Sequence, residues 1–182
     1  MKDKGVRPTK ASEPRVQYAA LPFRALPHPE VLLVSSRDTK RWIIPKGWPM
    51  KGRKPHAAAA QEALEEAGLL GKIEKEVLGS FHYVKNMPNG AAILCRVDVF
   101  PMRVDRQRKR WREREQRITR WFPVDKAAEA VREPELAEII RAFDPVKGAV
   151  IQTVPTQVTA DEAIPALDAD YDAALKPNAA LA

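Results

Sequence analysis

Apolar and polar residues alternate in blocks along the chain, and the blocks predict strands on both sides of a central helix. Six segments are rich in apolar and β-branched residues and are bounded by turn residues, a pattern that is typical of strands. These segments are residues 16–24, 30–36, 41–44, 73–84, 91–102 and 118–122. The first two flank a proline-rich turn, so they predict a pair of adjacent strands.

Three further segments have the composition and spacing of helices. Residues 55–67 begin with a proline, contain four consecutive alanines and end before Gly68, which is a suitable residue for a left-handed helix cap. Helices are also predicted at 124–131 and 134–143, and the second repeats apolar residues at helical spacing. Strands interrupted by helices imply a layered α/β domain over residues 16–143.

The two ends of the chain differ from this domain. Residues 1–15 are polar and basic and predict a flexible arm, and residues 144–182 are rich in Ala, Pro and Asp and predict a loosely ordered tail. We expect no secretory signal and no membrane partner, because no apolar run approaches the ~18 residues that span a bilayer. The single cysteine, Cys95, excludes an internal disulfide and favours a cytoplasmic location.

The chain of 182 residues has a formal net charge of +7, and most of that charge lies in one segment. Residues 103–120, called the basic band below, contain nine basic and three acidic side chains. Such a band predicts an anionic partner: a polyphosphate, a nucleic acid or an acidic protein surface. A basic loop exposed to solvent is the alternative, and charge alone leaves both open.

Three glutamates on the central helix are the first candidates for chemistry. Glu62, Glu65 and Glu66 are spaced i, i+3 and i+4, which places their carboxylates on one helix face, where they repel one another. A divalent cation such as Mg²⁺ or Mn²⁺ would turn this repulsion into attraction. Taken alone, however, three such glutamates are more often an acidic face exposed to solvent.

The loop before this helix and the residues after it resemble the Nudix box, written G-x5-E-x7-R-E-U-x-E-E-x-G-U with U aliphatic. Seven residues fall on box positions without a gap: Gly47, Glu62, Ala63, Glu65, Glu66, Gly68 and Leu69. Outside the box, EVLLVSS, RWIIPKG and WFPV are similar to the branch that includes diphosphoinositol polyphosphate and diadenosine polyphosphate hydrolases. The resemblance covers most of residues 16–143.

This resemblance implies an α/β/α sandwich with a mixed sheet and a metal-dependent hydrolysis in which water attacks a phosphoanhydride bond. It implies that Glu65 and Glu66 are the main ligands of Mg²⁺ or Mn²⁺ and that Glu62 is a ligand or a base. The carbonyl of Lys46 or Gly47 would complete the ligand set. The implied substrate is an anionic small molecule, such as a nucleoside or inositol polyphosphate.

Two box positions depart from the family pattern. In the family, the box arginine pairs with the box glutamates and holds them in place, whereas this chain has Gln61, which supplies no charge. Arg53 stands where the first box glutamate is expected, and we hypothesise that it restores part of the missing pairing. The alternative is a weakly active or non-catalytic box. The three retained glutamates favour activity.

Other residues are candidates for contact with the substrate. Lys46 is predicted to reach a phosphate, Trp48 to stack on a nucleobase, and three arginines to add positive charge to the site: Arg41, Arg53 and Arg110. Ordinary loop lysine remains the alternative for Lys46.

The resemblance also implies one more acid from the loop before the last strand. Glu115, six residues before Trp121, lies about where many members of the family supply an extra ligand or base, and Glu113 is its close neighbour. A partner for the surrounding arginines is the alternative role for either glutamate.

Three functions remain open at this point. The first is a metal-dependent hydrolase in which the basic band binds a polyphosphate. The second is an RNA-binding module, or an enzyme that removes pyrophosphate from an RNA 5′ end, in which the band binds the RNA backbone. The third is a scaffold protein with an acidic partner. The sequence leaves the oligomeric state open.

Overall fold

The structure is a computed structural model that describes residues 13–25, 28–87 and 90–144. The elements, in chain order, are β1 (Arg15–Arg24), β2 (Glu30–Ser35), β3 (Trp42–Ile43), β4 (Lys46–Gly47), α1 (Pro55–Ala67), β5 (Leu69–Ile73), β6 (Gly79–Asn86), β7 (Ala92–Gln107), β8 (Thr119–Pro123), α2 (Val124–Ala130) and α3 (Pro134–Ala142). Nearly all of the predicted arm and tail lies outside the described residues.

The eight strands of the described residues belong to one mixed sheet. Strands β3, β2, β1, β7 and β5 lie side by side in that order, while β8 pairs with β2, β4 with β1 and β6 with β7. Strand β1 runs parallel to β7 and antiparallel to β2 and β4. The mixed sheet implied by the family resemblance is therefore confirmed.

Helices cover both faces of this sheet. On one face, Ala59, Ala63 and Ala67 of α1 pack against a buried cluster that includes Phe100 and Met102. On the other face, α2 and α3 contribute to a second and larger cluster of buried residues. The small alanine side chains allow α1 to approach the strands closely. The expected α/β/α sandwich is confirmed.

The three predicted helices are present. The bounds of α1 match the prediction, and α2 and α3 each end one residue before their predicted ends. Gly68 has a φ of 68° and caps α1 in the left-handed conformation, as predicted. Within the described residues, no helix has the length and apolar character needed to cross a lipid bilayer.

One strand prediction was wrong. The segment predicted as a single strand at 73–84 belongs to two strands, because β5 ends at Ile73 and β6 begins only at Gly79. Strand β7 is also longer than predicted and continues to Gln107, where its last residues pair with β5. The composition of a segment does not reveal the cross-strand pairing that sets strand ends. The basic band therefore begins as a strand, and only residues 108–118, called the β7–β8 loop below, are a connection.

Candidate functional site

Strand β4 places a glycine directly against the acidic face of α1. Gly47 pairs with Tyr18 of β1, and its α-carbon faces the Glu62 side chain. A Cβ atom at position 47 would overlap the Glu62 carboxylate, so glycine allows Glu62 to keep its position against β4. The first residue of the box thus forms a cradle for the first glutamate of the helix.

Glu66 is a buried carboxylate with only 5% of its surface exposed. Its Oε1 accepts a hydrogen bond from Nη2 of Arg117 at 2.5 Å, and its Oε2 accepts a long one from the backbone N–H of Lys46 at 3.4 Å. The indole Nε1 of Trp111 donates to the backbone carbonyl of Glu66 at 3.2 Å. One carboxylate oxygen is therefore tightly bound and the other only weakly.

Burial is the main influence on the acidity of this glutamate. It raises the pKa of Glu66 to about 7, against the opposing effect of the Arg117 and Lys46 charges, and the neighbouring carboxylates of Glu62 and Glu113 raise it further. The pKa of Glu62 is also raised, by burial first and then by the charges of Glu65 and Glu113. The carboxylates are therefore close enough to repel one another, which is the electrostatic setting of a cation site.

Glu65 has a different environment, because both of its carboxylate oxygens have donors. The Gln61 amide donates to Oε1 at 2.7 Å, and Arg112 forms an ion pair with Oε2. The hydrogen bond from Gln61 is the largest influence and lowers the pKa of Glu65, with Arg112 acting in the same direction. Arg53 is exposed and contributes only through its charge.

The β7–β8 loop folds back over the C-terminal end of α1. The backbone N–H of Glu113 donates to the carbonyl of Glu65 at 3.0 Å, and that of Arg108 donates to the carbonyl of Gly68 at 2.8 Å. The ring of Trp111 lies on Gly68, where an added Cβ would come within 2.6 Å of it. These contacts satisfy carbonyls that the last turn of a helix leaves unpaired.

The structure separates the two candidate acids of this loop. Glu113 is largely buried and pairs with Arg117 at 2.6 Å, beside the carboxylates of the box. Glu115 is exposed and makes no hydrogen bond or ion pair with the described residues. The loop acid beside the box carboxylates is therefore Glu113, whereas the turns of the loop direct Glu115 outward, and its catalytic role stays a prediction.

A second charged cluster lies beside β4, on the face opposite to α1. Lys46 pairs with Ala19, whose side chain belongs to the core under α2 and α3, and its Nζ lies 4.8 Å from the centre of the Tyr83 ring. Burial lowers the pKa of Lys46 to about 8, although the charges of Glu66 and Glu133 oppose this shift. Lys46 thus lies between the carboxylates of α1 and the start of α3.

Glu133 balances the cations of this second cluster. Its Oε1 pairs with Nη1 of Arg41 at 2.9 Å, while its buried Oε2 has no hydrogen-bond partner among the described residues. Arg41, predicted to bind substrate, therefore already has an anionic partner. Glu133 was missed in the sequence, where nothing distinguishes it from other glutamates at the start of a helix.

Among the described residues, Trp48, Arg53 and Arg110 make no hydrogen bond or ion pair with the box carboxylates. The Trp48 ring has two cations over it, the Arg15 guanidinium at 4.3 Å and Lys85 Nζ at 5.0 Å from its centre. Arg110 is exposed and makes no hydrogen bond or ion pair with the described residues. Arg112 and Arg117 are the arginines that contact Glu65 and Glu66, while Arg53 acts on Glu65 only through its charge, and its share in the missing pairing stays a prediction.

Divalent cations fit the chemistry of this site. In the parts of the chain that the structure describes, no three acidic, His or Cys side chains converge on one point. Mg²⁺ does not require such a cage, because it is commonly held by one or two carboxylates together with waters and substrate phosphates. Glu62, cradled by Gly47, and the weakly bound Oε2 of Glu66 are donors of the right type.

Two sequence comparisons agree with these observations. A model of the NUDIX domain matches residues 15–143. Nudix hydrolase 4 of Arabidopsis thaliana is 33% identical over 114 residues, and the match covers 63% of this chain and 53% of that protein. Diphosphoinositol polyphosphate phosphohydrolase 3-alpha of Mus musculus is 33% identical over 117 residues, which is 63% of this chain and 67% of that protein.

Solved structures show the same fold. A NUDIX hydrolase from Nitrosomonas europaea superimposes with a TM-score of 0.54 at 21% identity, covering 71% of this chain and 87% of that one. The Ap4A hydrolase of C. elegans superimposes with a TM-score of 0.52 at 17% identity, covering 70% and 94%. The matched domain, its sandwich fold and the box glutamates lead to one conclusion: the chain belongs to the Nudix family.

Proposed function

We propose that this protein is a metal-dependent hydrolase that cleaves a phosphoanhydride bond in a nucleoside or inositol polyphosphate. One observation carries the proposal: Glu62 and Glu66 lie close together on the face of α1 that Gly47 cradles, with pKa values raised by burial and by neighbouring carboxylates. An excess of buried carboxylates lowers the free energy of unfolding unless a cation neutralises their charge. The membership in the Nudix family supports the same chemistry.

Glu65 and Glu66, with a backbone carbonyl of Lys46 or Gly47, would hold Mg²⁺ or Mn²⁺. When bound, such a cation neutralises phosphate charge and acidifies a water. Glu62 would act either as a further ligand or as the base that accepts the proton of the attacking water. Glu113 adds negative charge beside these carboxylates.

The second cluster supports an anionic substrate. Lys46 and Arg41 lie beside the carboxylates, and Lys85 and Arg15 extend the positive charge across Trp48. A substrate that places phosphates on this side and its scissile anhydride near Glu66 would satisfy both clusters. The relatives named as diphosphoinositol polyphosphate phosphohydrolases, and the structural neighbour named as an Ap4A hydrolase, support a polyphosphate of this kind.

An RNA 5′ end is the second candidate substrate. The observation in its favour is a row of cations at the end of β7 and the start of the β7–β8 loop that are exposed and make no ion pair with the described residues: Arg106, Arg108, Lys109 and Arg110. Unpaired cations of this density suit a phosphate backbone. Binding by this row would weaken steeply as the salt concentration rises.

We place the enzyme in the cytoplasm. Cys95 is buried as a free thiol, which suits a reducing compartment. Some relatives carry mitochondrial names, such as Nudix hydrolase 16 of Arabidopsis thaliana, and tagging the full chain in its own cell would test the assignment.

The proposal is tested with a substrate panel in Mg²⁺ or Mn²⁺. The panel contains diphosphoinositol polyphosphates, dinucleoside polyphosphates, nucleoside diphosphate derivatives and RNA with a 5′-triphosphate. We expect Glu66→Gln to lower kcat by about a hundredfold to a thousandfold, because it removes several kcal/mol of cation-mediated stabilisation. Glu76→Gln, an exposed glutamate outside the site, is the matched control and should retain full activity. A wild-type protein that cleaves no member of the panel would refute the proposal.

A further inference from the structure

The positive charge that holds the box carboxylates comes from a distant part of the chain. We propose that Arg117 and Arg112 of the β7–β8 loop are positioning residues that orient Glu66 and Glu65 for cation binding. The inference rests on the proposed function, since it assigns the two carboxylates to a cation. Under this proposal, part of the basic band lies inside the site and contacts the glutamates. The sequence had instead indicated that the band is a surface for the substrate.

Arg117 is the centre of this arrangement, and 6% of its side chain is exposed. Its three nitrogens reach three different acceptors: Nη2 donates to Glu66 at 2.5 Å, Nε to Glu113 at 2.6 Å and Nη1 to the carbonyl of Ser35 at 3.0 Å. The planar guanidinium fixes the directions of these bonds together, which a lysine ammonium on a flexible stem cannot do. Arg117 therefore links α1, the loop and the end of β2 into one rigid unit.

The geometry at Glu66 leaves one oxygen for a ligand. Arg117 binds Oε1, and Oε2 has only the long 3.4 Å contact with the backbone N–H of Lys46. Since the two oxygens of a carboxylate are rigidly connected, fixing the first fixes the direction of the second. The fixed direction is toward β4, where Gly47 also cradles Glu62.

Arg112 acts on Glu65 in a more exposed position. The carboxylate lies between the Gln61 amide, 2.7 Å from Oε1, and Arg112, which pairs with Oε2. Arg112 is 72% exposed, so its contribution is smaller than that of Arg117. Gln61 by itself provides orientation without charge, and Arg112 supplies the charge from outside the helix.

Contacts between the β7–β8 loop and α1 hold both arginines in these positions. The loop is bound to the last turn of α1 through the N–H of Glu113 and the indole of Trp111. Arg112 lies between these two anchors, and the loop turns back at Arg117, whose N–H donates to the carbonyl of Glu113 at 3.1 Å. The loop thus has one fixed path over the carboxylates.

Substitution of Arg117 tests the proposal, because orientation and charge predict opposite effects on cation affinity. If Arg117 contributed only positive charge, Arg117→Gln would bind Mn²⁺ more tightly than the wild type, and Arg117→Lys would bind it equally well. If Arg117 orients Glu66, both variants bind Mn²⁺ about tenfold to a hundredfold more weakly. Calorimetric titration of the full chain with Mn²⁺ alone measures this affinity without any substrate.

Kinetics and folding controls separate positioning from a general loss of structure. We expect kcat of the folded Arg117→Lys variant to fall while KM stays within about twofold, since the interaction acts on the cation site rather than on substrate contacts. Arg141→Gln, an exposed arginine on α3, should match the wild type in Mn²⁺ affinity and in stability to urea. An Arg117→Lys variant that is folded and binds Mn²⁺ like the wild type would overturn the proposal, as would a wild type that binds no Mn²⁺.

Arg112 provides a second test that does not depend on a buried group. Arg112→Gln should weaken Mn²⁺ binding by about twofold to fivefold, as expected for an exposed ion pair. Adding Gln61→Arg should restore the affinity, because residue 61 lies one helical turn before Glu65. Failure of this rescue would refute the role of Arg112. If the wild type cleaves no diphosphate but Arg117→Lys still weakens Mn²⁺ binding, positioning stands and only the proposed function fails.

Discussion

The charged clusters on the two sides of β4 have opposite excesses of charge. On the side of α1, four carboxylates surround two arginines: Glu62, Glu65, Glu66 and Glu113 around Arg112 and Arg117. On the other side, Arg41 and Lys46 share the buried carboxylate of Glu133. An excess of buried negative charge favours a cation, and an excess of positive charge favours phosphate. The difference shows how the short strand β4 can separate a site suited to a cation from a site suited to phosphate. The proposed hydrolysis of a polyphosphate needs both.

The substitution with the largest expected effect on stability disrupts the second cluster, which contains Arg41, Lys46 and Glu133. Arg41→Met removes the ion-pair partner of Glu133 and leaves its buried carboxylate with only the charge of Lys46 nearby, while its second oxygen already lacks a hydrogen bond. We expect the free energy of unfolding, measured in urea at pH 7.5, to fall by about 3–4 kcal/mol.

Two further variants make this test specific. Adding Glu133→Gln should recover a large part of the lost stability, because the buried charge is then absent. Arg132→Met changes an exposed neighbour and should have little effect. A loss for Arg41→Met of less than about 0.5 kcal/mol, the range of ordinary surface substitutions, would contradict the assigned pairing.

The second prediction concerns the carboxylates on the α1 side of β4 and uses the pH dependence of stability. Between pH 4.5 and 7 the folded protein binds more protons at Glu66 than the unfolded chain does, because burial raises its folded pKa to about 7 from an ordinary value of 4.5. This group therefore stabilises the fold fully below pH 4.5, and its contribution is lost as the pH rises through 7.

The Glu66→Gln variant isolates this contribution. Relative to the variant, the wild type should lose about 1–3 kcal/mol of stability between pH 4.5 and 7.5 when both are unfolded in urea with a chelator present. Glu76→Gln, whose carboxylate is exposed, should follow the wild-type curve. Parallel curves for the wild type and Glu66→Gln would show that the carboxylate is not held in a charge-disfavouring environment.

The smallest expected effect concerns the attachment of the β7–β8 loop. Trp111→Phe keeps an aromatic ring on Gly68 but removes the hydrogen bond from Nε1 to the carbonyl of Glu66. We expect about 1 kcal/mol less stability, the usual contribution of one such bond. Faster hydrogen exchange in residues 108–118 should accompany the loss. Unchanged exchange there would mean that the indole does not anchor the loop.

Local patterns in the sequence predicted much of this molecule. The bounds of α1, the left-handed cap at Gly68 and the shared face of the three glutamates all depend on residues within a few positions of one another. These features required no knowledge of how distant segments meet. The family resemblance placed Gly47 at the start of the box, whereas its close approach to Glu62 is visible only in the structure.

The contacts between distant segments could not be predicted in the same way. Arg117 reaches Glu66 across 51 positions of sequence, and nothing in a run of arginines indicates which one turns inward. Glu113 and Glu115 look equivalent in sequence, and only the turns of the loop decide that Glu113 faces Arg117 while Glu115 is exposed. The absence of an arginine at Gln61 did indicate a missing partner, but the hypothesis placed its replacement at Arg53.

Gly68 and Gly52 differ in how freely they can change over evolutionary time, although both have a positive φ. Around Gly52 there is open space, so asparagine, which tolerates this conformation, is an acceptable replacement. At Gly68 the same replacement would collide with Trp111. Position 68 and position 111 are therefore expected to change only together, so a homologue that has lost this glycine should also have lost the tryptophan.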